Sequence, residues 1–336
     1  MTANLRIRVA IAGAGMVTRH HLLAWRKLPQ VDVVAVCARH VENARARTAA
    51  FGVPSAYGDV AEMLDRERPD VLDIATPPEA HAEQALMAAD RGIDILCQKP
   101  MTPDLAQSER LVAAVGNRVR FMVHENWRFR PQYRQAALWL AEGKVGPVHE
   151  FQFTVRSSGI ATRGPSGKAV ALERQPFLTT LKRFLLMEVL IHHLDTIRYL
   201  VGPVTATSAM IKRVSKDIMG EDVALIGLKA ASGSVGLVAG NFFAPGYPLL
   251  PSDRLDLVGE DGAILYEEGV LRLIGKAEET LRYDFEAMYQ QSYDNAIAHF
   301  VQCRENGKDF ETDRIDNLHT LRLVADAYRL AGEKDH

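Results

Sequence analysis

Short, continuously apolar runs alternate with segments of helical periodicity over the first third of the chain. The apolar runs predict strands, at residues 6–12, 31–37, 71–75, 93–97 and 119–123. The segments between them, bounded by prolines, predict helices, at residues 17–28, 41–51, 60–65, 79–91 and 105–115. Because strands that are apolar on both faces alternate with helices, the pattern predicts an α/β domain with a doubly wound parallel sheet.

The pattern changes near residue 126. A helix at 132–141 is followed by a strand at 148–155 in which apolar and polar residues alternate. Residues 156–176 are rich in Gly, Ser and Arg and have no periodicity, which predicts a functional loop, and 178–200 predicts one long helix. Further strands are predicted at residues 205–214, 223–230, 234–243, 254–259, 263–267 and 270–274, with closing helices at 289–306 and 316–330. We therefore expect two domains, 1–125 and 126–336, the second an α+β domain with a large, mostly antiparallel sheet.

Charge and cysteine content exclude several classes of function. The 336 residues carry 40 Lys and Arg against 42 Asp and Glu, so no basic excess favours a nucleic acid or an anionic membrane as partner. Three scattered cysteines are too few for a disulfide framework. No apolar run reaches membrane-spanning length and no signal-peptide cleavage motif follows the first strand, so we expect a cytoplasmic protein.

A glycine turn follows the first predicted strand directly. Gly13 permits the tight turn, and Gly15 lets the backbone approach the phosphates of a dinucleotide. Met16 and Val17 then open a helix whose free N–H groups bind the pyrophosphate. Thr18 occupies the third fingerprint position, where Gly or Ala is usual, and a plain strand-to-helix corner is the alternative interpretation.

Two further candidates follow strands of the predicted parallel sheet, at the edge where such sheets bind ligands. Thr76 and Pro77, with His81 after them, follow the strand at 71–75, although a proline-initiated helix explains the same residues. Gln98 and Lys99 follow the strand at 93–97. A lysine there is either a solvated charge or, beside a nicotinamide, a proton donor or acceptor.

A third candidate lies on the predicted helix 178–200. Glu188 and His192 are four residues apart, so they share a helix face, and Asp195 follows one turn later. A carboxylate beside a histidine fixes its tautomer and stabilises its protonated form, as a general base requires. The alternatives are a surface ion pair and a zinc site. The adjacent His192 and His193 point in different directions, which disfavours zinc, and we predict no metal.

Together these segments resemble the Gfo/Idh/MocA family of nicotinamide-dependent sugar and polyol oxidoreductases. The resemblance covers nearly the whole chain. The segments that carry it are the glycine turn, Thr76-Pro77-Pro78 with His81, Lys99-Pro100, Asn126-Trp127-Arg128-Phe129-x-Pro131, and Glu188-x-x-x-His192-x-x-Asp195.

The resemblance implies roles for individual residues. Lys99 matches the family's catalytic lysine, and Glu188 with His192 matches its Asp–His pair. The chain departs from the family where Glu188 replaces Asp, Gln98 replaces Glu and Leu190 replaces a common Gly, which favours a specialised substrate. The expected cofactor-binding residues are Gly13, Gly15, Met16, Val17, Arg39, Thr76, Pro77, His81 and Gln98. The expected sugar-binding residues are Asn126, Trp127, Arg128, Arg163 and His193.

The residues after the second predicted strand bear on the choice between NAD and NADP. Ala38 stands where NAD enzymes often carry an acid for the ribose 2′-hydroxyl, and Arg39, Arg45 and Arg47 nearby favour a 2′-phosphate. The resemblance favours NAD, which we expect, with NADP as the alternative.

The resemblance implies hydride transfer between NAD(P) and a sugar hydroxyl, and its closest subgroup oxidises a branched pentose at the anomeric carbon to a lactone. Two alternatives are an NAD-dependent glycosidase of the same fold and a non-catalytic nicotinamide sensor. We also expect a homodimer or homotetramer, because apolar residues of the second sheet would otherwise face water: Val235, Leu237, Val238, Phe242 and Phe243.

Overall fold

The computed structural model describes residues 6–333, which form two compact units. The first unit contains the residues up to Phe129 together with Tyr289–His319. The second contains Arg130–Met288 together with the residues from Thr320 onward. Each unit is built on its own sheet, which confirms the predicted fold class.

The first sheet is parallel and has six strands in the order β3-β2-β1-β4-β5-β6. The strands are β1 (Ile7–Ala12), β2 (Val31–Cys37), β3 (Ser55–Tyr57), β4 (Val71–Ile74), β5 (Asp94–Gln98) and β6 (Phe121–His124). Every predicted strand of this region is confirmed within two residues. The three-residue β3 was missed because it is too short to show periodicity.

The first sheet alternates with helices, as predicted. They are α1 (Met16–Trp25), α2 (Val41–Phe51), α3 (Val60–Glu67), α4 (His81–Ala89) and α5 (Leu105–Val115). Apolar strand residues such as Val9 and Ile11 are fully buried beneath them. The chain after Tyr289 completes this core, since Phe300 packs edge-on against Trp25, with ring centroids 6.1 Å apart, and stacks on Phe310.

The second sheet has eight strands in the order β14-β13-β12-β11-β7-β10-β9-β8. They are β7 (Val148–Arg156), β8 (Val204–Lys212), β9 (Val223–Ala230), β10 (Val235–Asn241), β11 (Ser252–Gly259), β12 (Gly262–Glu267), β13 (Val270–Gly275) and β14 (Glu279–Arg282). All pairs are antiparallel except β7 with β10, which confirms a mostly antiparallel sheet. The polar edge strand β14 was not predicted.

Helices bury one face of the second sheet. They include α6 (Pro131–Ala141) and α8 (Ile191–Val201), and the short α7 (Val170–Arg174) lies between these two in the chain. On β7 the buried residues Phe151, Phe153 and Val155 alternate with more exposed polar ones, and Tyr133 of α6 packs edge-on against Phe153. The predicted terminal helices are α9 (Phe285–Asn306) and α10 (Arg314–Leu330).

The single helix predicted over 178–200 is wrong. A 3₁₀-helix at Pro176–Thr180 is followed by a π-helical turn at Leu185–Leu190, and only then by α8. The loop predicted over 156–176 also contains the short α7. Apolar spacing does not distinguish these forms, because α- and π-turns both return a side chain to the same face after about four residues.

The open face of the second sheet carries a smaller apolar surface than predicted. Val235 is 55% exposed and Leu237 is half-buried, but Val238 and Phe242 are only 0% and 7% exposed. Val238 follows Leu237 on the same strand, so its side chain points to the opposite, buried face. The prediction that Val238 and Phe242 belong to an exposed surface is therefore wrong.

Between residues 6 and 333, no helix is long and apolar enough to cross a membrane. The three cysteines, Cys37, Cys97 and Cys303, are free and buried.

Candidate active site

The glycine turn after β1 is shaped by one position that admits only glycine. Gly13 has φ of +121°, and a Cβ there would lie 2.3 Å from the carbonyl oxygen of Ala75 at the end of β4. Gly15 is exposed, and a Cβ there would meet nothing within 4 Å. The turn is therefore packed tightly against the sheet at Gly13 and open above Gly15, as a backbone that receives phosphates must be.

The N-terminus of α1 is free of competing anions from its own sequence. No side chain caps it, and its first turn contains no acidic residue. By contrast, Asp59 and Asp104 cap α3 and α5 with their carboxylates. The exposed Met16 opens α1, so its first N–H groups and the helix dipole are directed at an external anion. This cradle fits a dinucleotide pyrophosphate.

Two of the basic residues after β2 already interact with other groups of the protein. Arg45 pairs with Glu42 at 2.6 Å on the surface of α2. Arg47 donates through Nη2 to the carbonyl oxygens of Ala14 (3.1 Å) and Gly15 (2.9 Å) in the glycine turn. Two of the arginines that favoured a 2′-phosphate are thus engaged elsewhere, while Arg39 remains exposed.

The contacts of Arg47 predict a role in cofactor affinity. In an Arg47→Ala variant, the glycine turn loses two charge-assisted hydrogen bonds, and we expect the dissociation constant for NAD to rise about tenfold in a fluorescence titration. Arg45→Ala is the matched control, because it removes the same charge from the same helix and is expected to change the constant less than about twofold. Equal weakening by both variants would mean that charge alone matters, contrary to this prediction.

The ends of β4 and β5 are held together by a buried histidine. His81 is fully buried, and its two ring nitrogens lie 2.8 Å from the carbonyl oxygen of Thr76 and 3.0 Å from that of Pro100. Burial lowers the pKa of His81, although these carbonyl groups oppose the shift. His81 thus connects the segment of Thr76 and Pro77 to the peptide after Lys99.

Lys99 follows β5 and is half-buried, and its bond to Pro100 is cis. Gln98 before it is 8% exposed and lies in a polar cluster with His21, Asp73 and His124, all fully buried. The sequence signal that we missed is Asp73, an acid inside an otherwise apolar strand. The first unit therefore brings Gly13, Thr76, Lys99 and their neighbours to one edge of its sheet, the carboxyl ends of the strands.

The three predicted sugar-binding residues after β6 differ in how exposed their side chains are. Asn126 is 3% exposed and donates to Ser292 Oγ at 2.7 Å. Arg128 is 4% exposed and donates to the carbonyl oxygen of Glu311 and to Asp316, each at 2.9 Å. Trp127 between them is half-buried, so it is the most accessible of the three.

In the second unit, Glu188 lies inside the π-helical turn and His192 in the first turn of α8. Glu188 is half-buried and His192 is 6% exposed. The π-turn begins where Glu221 accepts hydrogen bonds from the backbone N–H groups of Leu186 (2.8 Å) and Phe184 (3.2 Å). Burial raises the pKa of Glu221, and those N–H groups oppose the shift.

The other end of this segment is fixed by His193 and Asp253. His193 Nε2 lies 3.0 Å from Asp253 Oδ1, and its Nδ1 lies 3.1 Å from the carbonyl oxygen of Val189. Asp253 Oδ2 also accepts from Arg130 (3.1 Å) and Tyr133 (2.9 Å). Burial alone would raise the pKa of Asp253, but His193, Arg130 and Tyr133 outweigh it and hold that pKa at about 2.

Removing this carboxylate is expected to destabilise the protein. Asp253→Asn removes the buried carboxylate that pairs with Arg130 and His193, and we expect the free energy of unfolding in urea at neutral pH to fall by about 3 kcal/mol. The folded pKa of about 2 lies below the usual value near 3.9, so this stabilisation is present above about pH 4 and is lost as the pH falls toward 2.

Asp256→Asn on the same strand is the control, because its partner Arg254 is exposed, and we expect a change under about 0.5 kcal/mol. Equal losses in the two variants, or a difference between wild type and Asp253→Asn that persists unchanged at pH 2, would contradict the assignment.

Arg163 lies in an exposed part of the 156–176 loop and pairs with Asp217. Neither residue belongs to the π-turn that carries Glu188. Among the described residues, no group of three or more His, Cys, Asp or Glu side chains is arranged to hold a metal ion.

Two family models match consecutive parts of the chain. One, described as an oxidoreductase family with an NAD-binding Rossmann fold, matches residues 7–125. The other, a GFO/IDH/MocA C-terminal domain, matches residues 133–265. Among characterised relatives, D-apiose dehydrogenase from Paraburkholderia graminis is 33% identical and covers 99% of this chain and 89% of its own length. The enzyme of the same name from Rhizobium rhizogenes is 28% identical, covering 97% and 95%.

Two solved structures superpose on nearly the whole chain. An oxidoreductase from Agrobacterium radiobacter, in complex with NAD+, L-tartaric acid and magnesium, superposes with a TM-score of 0.90 at 27% identity, covering 98% of this chain and 97% of the other. Levoglucosan dehydrogenase in complex with NADH and levoglucosan gives 0.85 at 20% identity, covering 97% of each chain, which shows the shared fold alone.

Proposed function

The chain belongs to the GFO/IDH/MocA family of oxidoreductases with an NAD-binding Rossmann domain, and from that premise we propose that it is an NAD-dependent sugar dehydrogenase. The best candidate reaction is oxidation of D-apiose at its anomeric carbon to D-apionolactone. The observation that carries this proposal is the 33% identity to a D-apiose dehydrogenase over 99% of the chain.

The cofactor is held by the first unit. Gly13, Gly15 and the uncapped start of α1 at Met16 and Val17 receive the pyrophosphate, and Arg47 supports the turn. Arg39, Thr76, Pro77 and Gln98 complete the proposed contacts, and His81 contributes by holding two strand ends together. When bound, NAD supplies the electrophilic nicotinamide carbon that accepts hydride.

Lys99 is proposed to bind the sugar hydroxyl that is oxidised. An ammonium group donates hydrogen bonds and carries positive charge, so it stabilises the alkoxide character that develops as the hydroxyl proton leaves. The position of Lys99 at the end of β5 supports this role, because ligands of open parallel sheets bind at that edge.

His192 is proposed to accept the hydroxyl proton. A neutral imidazole is a base matched to neutral pH, and the carboxylate of Glu188, one turn earlier, stabilises the imidazolium that forms. Both lie on a segment fixed at one end by Glu221 and at the other by the His193–Asp253 pair.

The other proposed sugar-binding residues differ in how accessible their side chains are. Trp127 is the accessible one and offers an apolar ring face, while Arg163 is exposed on its loop. Asn126, Arg128 and His193 already bond within their own units, so we assign them to holding neighbouring groups in place.

We propose that residues 1–125 bind the dinucleotide and 126–336 bind the sugar, and that copies associate through the open sheet face as a homodimer or homotetramer. The exposed Met210, Leu225 and Val235 on that face support association. A cytoplasmic location stays a prediction.

The function is tested by incubating the protein with NAD or NADP and a panel of free aldoses that includes D-apiose, and following NADH by its near-ultraviolet absorbance. The proposal expects NADH with one aldose, D-apiose above all. The glycosidase would be established instead if no aldose produced NADH and the protein released sugar from a glycoside without net formation of NADH.

A further inference from the structure

A chain of buried hydrogen bonds runs from the centre of the first sheet to its ligand edge. Asp73 in β4 is fully buried, and its Oδ2 accepts from the indole Nε1–H of Trp25 at 2.7 Å. The same oxygen lies 2.8 Å from Nδ1 of His21, which is also fully buried. Because a carboxylate only accepts hydrogen bonds, Nδ1 of His21 must carry a proton.

The other side of the ring accepts a hydrogen bond. The atom that faces Nε2 of His21 is an amide nitrogen, which only donates, so Nε2 accepts and the imidazole carries its one proton on Nδ1. Its partner at 2.7 Å is the amide nitrogen of Gln98, which donates one hydrogen. The same amide nitrogen lies 3.1 Å from Nδ1 of His124, which accepts the second.

Both hydrogens of the Gln98 amide are thereby used, and its orientation is fixed. With Nε2 placed between two imidazole rings whose centroids are 4.4 Å apart, the carbonyl oxygen Oε1 must point away from both. Gln98 ends β5 at the carboxyl-end edge of the sheet and is 8% exposed, so Oε1 is the amide atom that is left to reach a ligand at this edge.

We propose that Asp73 and His21 are positioning residues that hold the Gln98 carbonyl oxygen at this edge as an acceptor for a hydroxyl group of a bound ligand. A glutamine amide by itself presents either its oxygen or its NH₂ group, and a ligand hydroxyl would meet either one. The buried carboxylate removes that ambiguity through the imidazole, and the acceptor is obtained without a negative charge.

This inference rests on the proposed function for the identity of the ligand. Two hydroxyl sources are compatible with it, the ribose of the dinucleotide and the sugar substrate. Binding of NAD measured in the absence of sugar, and KM for sugar measured at saturating NAD, distinguish them.

The tautomer is tested without any activity measurement. In ¹⁵N-histidine-labelled protein at neutral pH, with His21→Asn to assign the signals, solid-state NMR is expected to show His21 neutral and protonated at Nδ1. A doubly protonated ring, or a proton on Nε2 alone, would overturn the proposal. In Gln98→Glu, the new carboxylate offers no hydrogen to Nε2, so His21 is expected to become doubly protonated.

The acceptor role is tested by a pair of variants at Gln98. Gln98→Met removes the acceptor and is expected to raise either the NAD dissociation constant or the sugar KM about tenfold, whereas Gln98→Glu retains an oxygen and stays within about threefold. Trp25→Phe is the control, because it removes the other donor to Asp73 Oδ2 and leaves the His21–Gln98 link in place. Unchanged binding of both ligands by Gln98→Met would overturn the acceptor role.

A failure of the proposed function has a different signature. It would leave the tautomer of His21 as described while the wild-type protein binds NAD and oxidises no sugar.

Discussion

Replacing Lys99 with Met is expected to reduce kcat by about 1,000-fold or more while leaving the NAD dissociation constant within about threefold. Methionine preserves most of the length and apolar body of the side chain but removes its charge and its three N–H donors. The variant therefore loses stabilisation of the developing alkoxide. Cofactor affinity depends instead on the glycine turn and α1, which the substitution leaves unchanged.

The measurement combines steady-state rates of NADH formation with a fluorescence titration of NAD. Lys27→Met is the matched control, since Lys27 belongs to the same unit, is exposed and pairs with Asp294 on the surface. Turnover that survives in Lys99→Met would remove this lysine from the mechanism. A parallel loss of NAD binding would make it a cofactor residue instead.

The second large effect concerns the proton acceptor. His192→Asn is expected to lower kcat about 100-fold to 1,000-fold, because asparagine resembles imidazole in size but does not take up a proton near neutral pH. For the wild-type enzyme, a base of histidine type predicts that kcat/KM for sugar oxidation rises with pH between about 6 and 8. In His192→Asn that rise should disappear from the residual rate.

Two variants sharpen this test. Glu188→Gln keeps the imidazole but removes the charge that stabilises its protonated form, so we expect a smaller loss, about tenfold, and a pH profile displaced toward lower pH. His149→Asn alters an exposed histidine of the same unit and is expected to leave the profile unchanged. A wild-type profile that is flat across this range would count against His192 as the base.

Periodicity predicted most of the fold because burial decides where apolar side chains lie. The strands of the parallel sheet are apolar on both faces, and β7 alternates, so each leaves a clear pattern. Ser55–Tyr57 and Glu279–Arg282 leave none, because the first is too short and the second is a polar edge strand. The π-turn was not predictable, since its start is fixed by Glu221, more than thirty residues away in sequence.

The site was predicted less completely, for a related reason. A sequence shows which polar side chains exist but not which already have partners inside the protein. Arg47 and Arg128 are both arginines near predicted ligand sites, yet one donates to backbone carbonyl groups and the other to the half-buried carboxylate of Asp316. Asp73 was overlooked because a single acid in an apolar strand carries no motif, and only the fold shows what surrounds it.

The return of the chain to the first unit affects how the protein can be made. Phe300 and Phe310 complete the core around Trp25, yet they follow the helix that carries Trp25 by about 275 residues or more. During translation, the Rossmann sheet is synthesised first. The apolar surface around Trp25 stays uncovered while the whole second sheet is synthesised. Exposed apolar surface is prone to aggregation over this interval, and the first unit is completed only after the second sheet has been made.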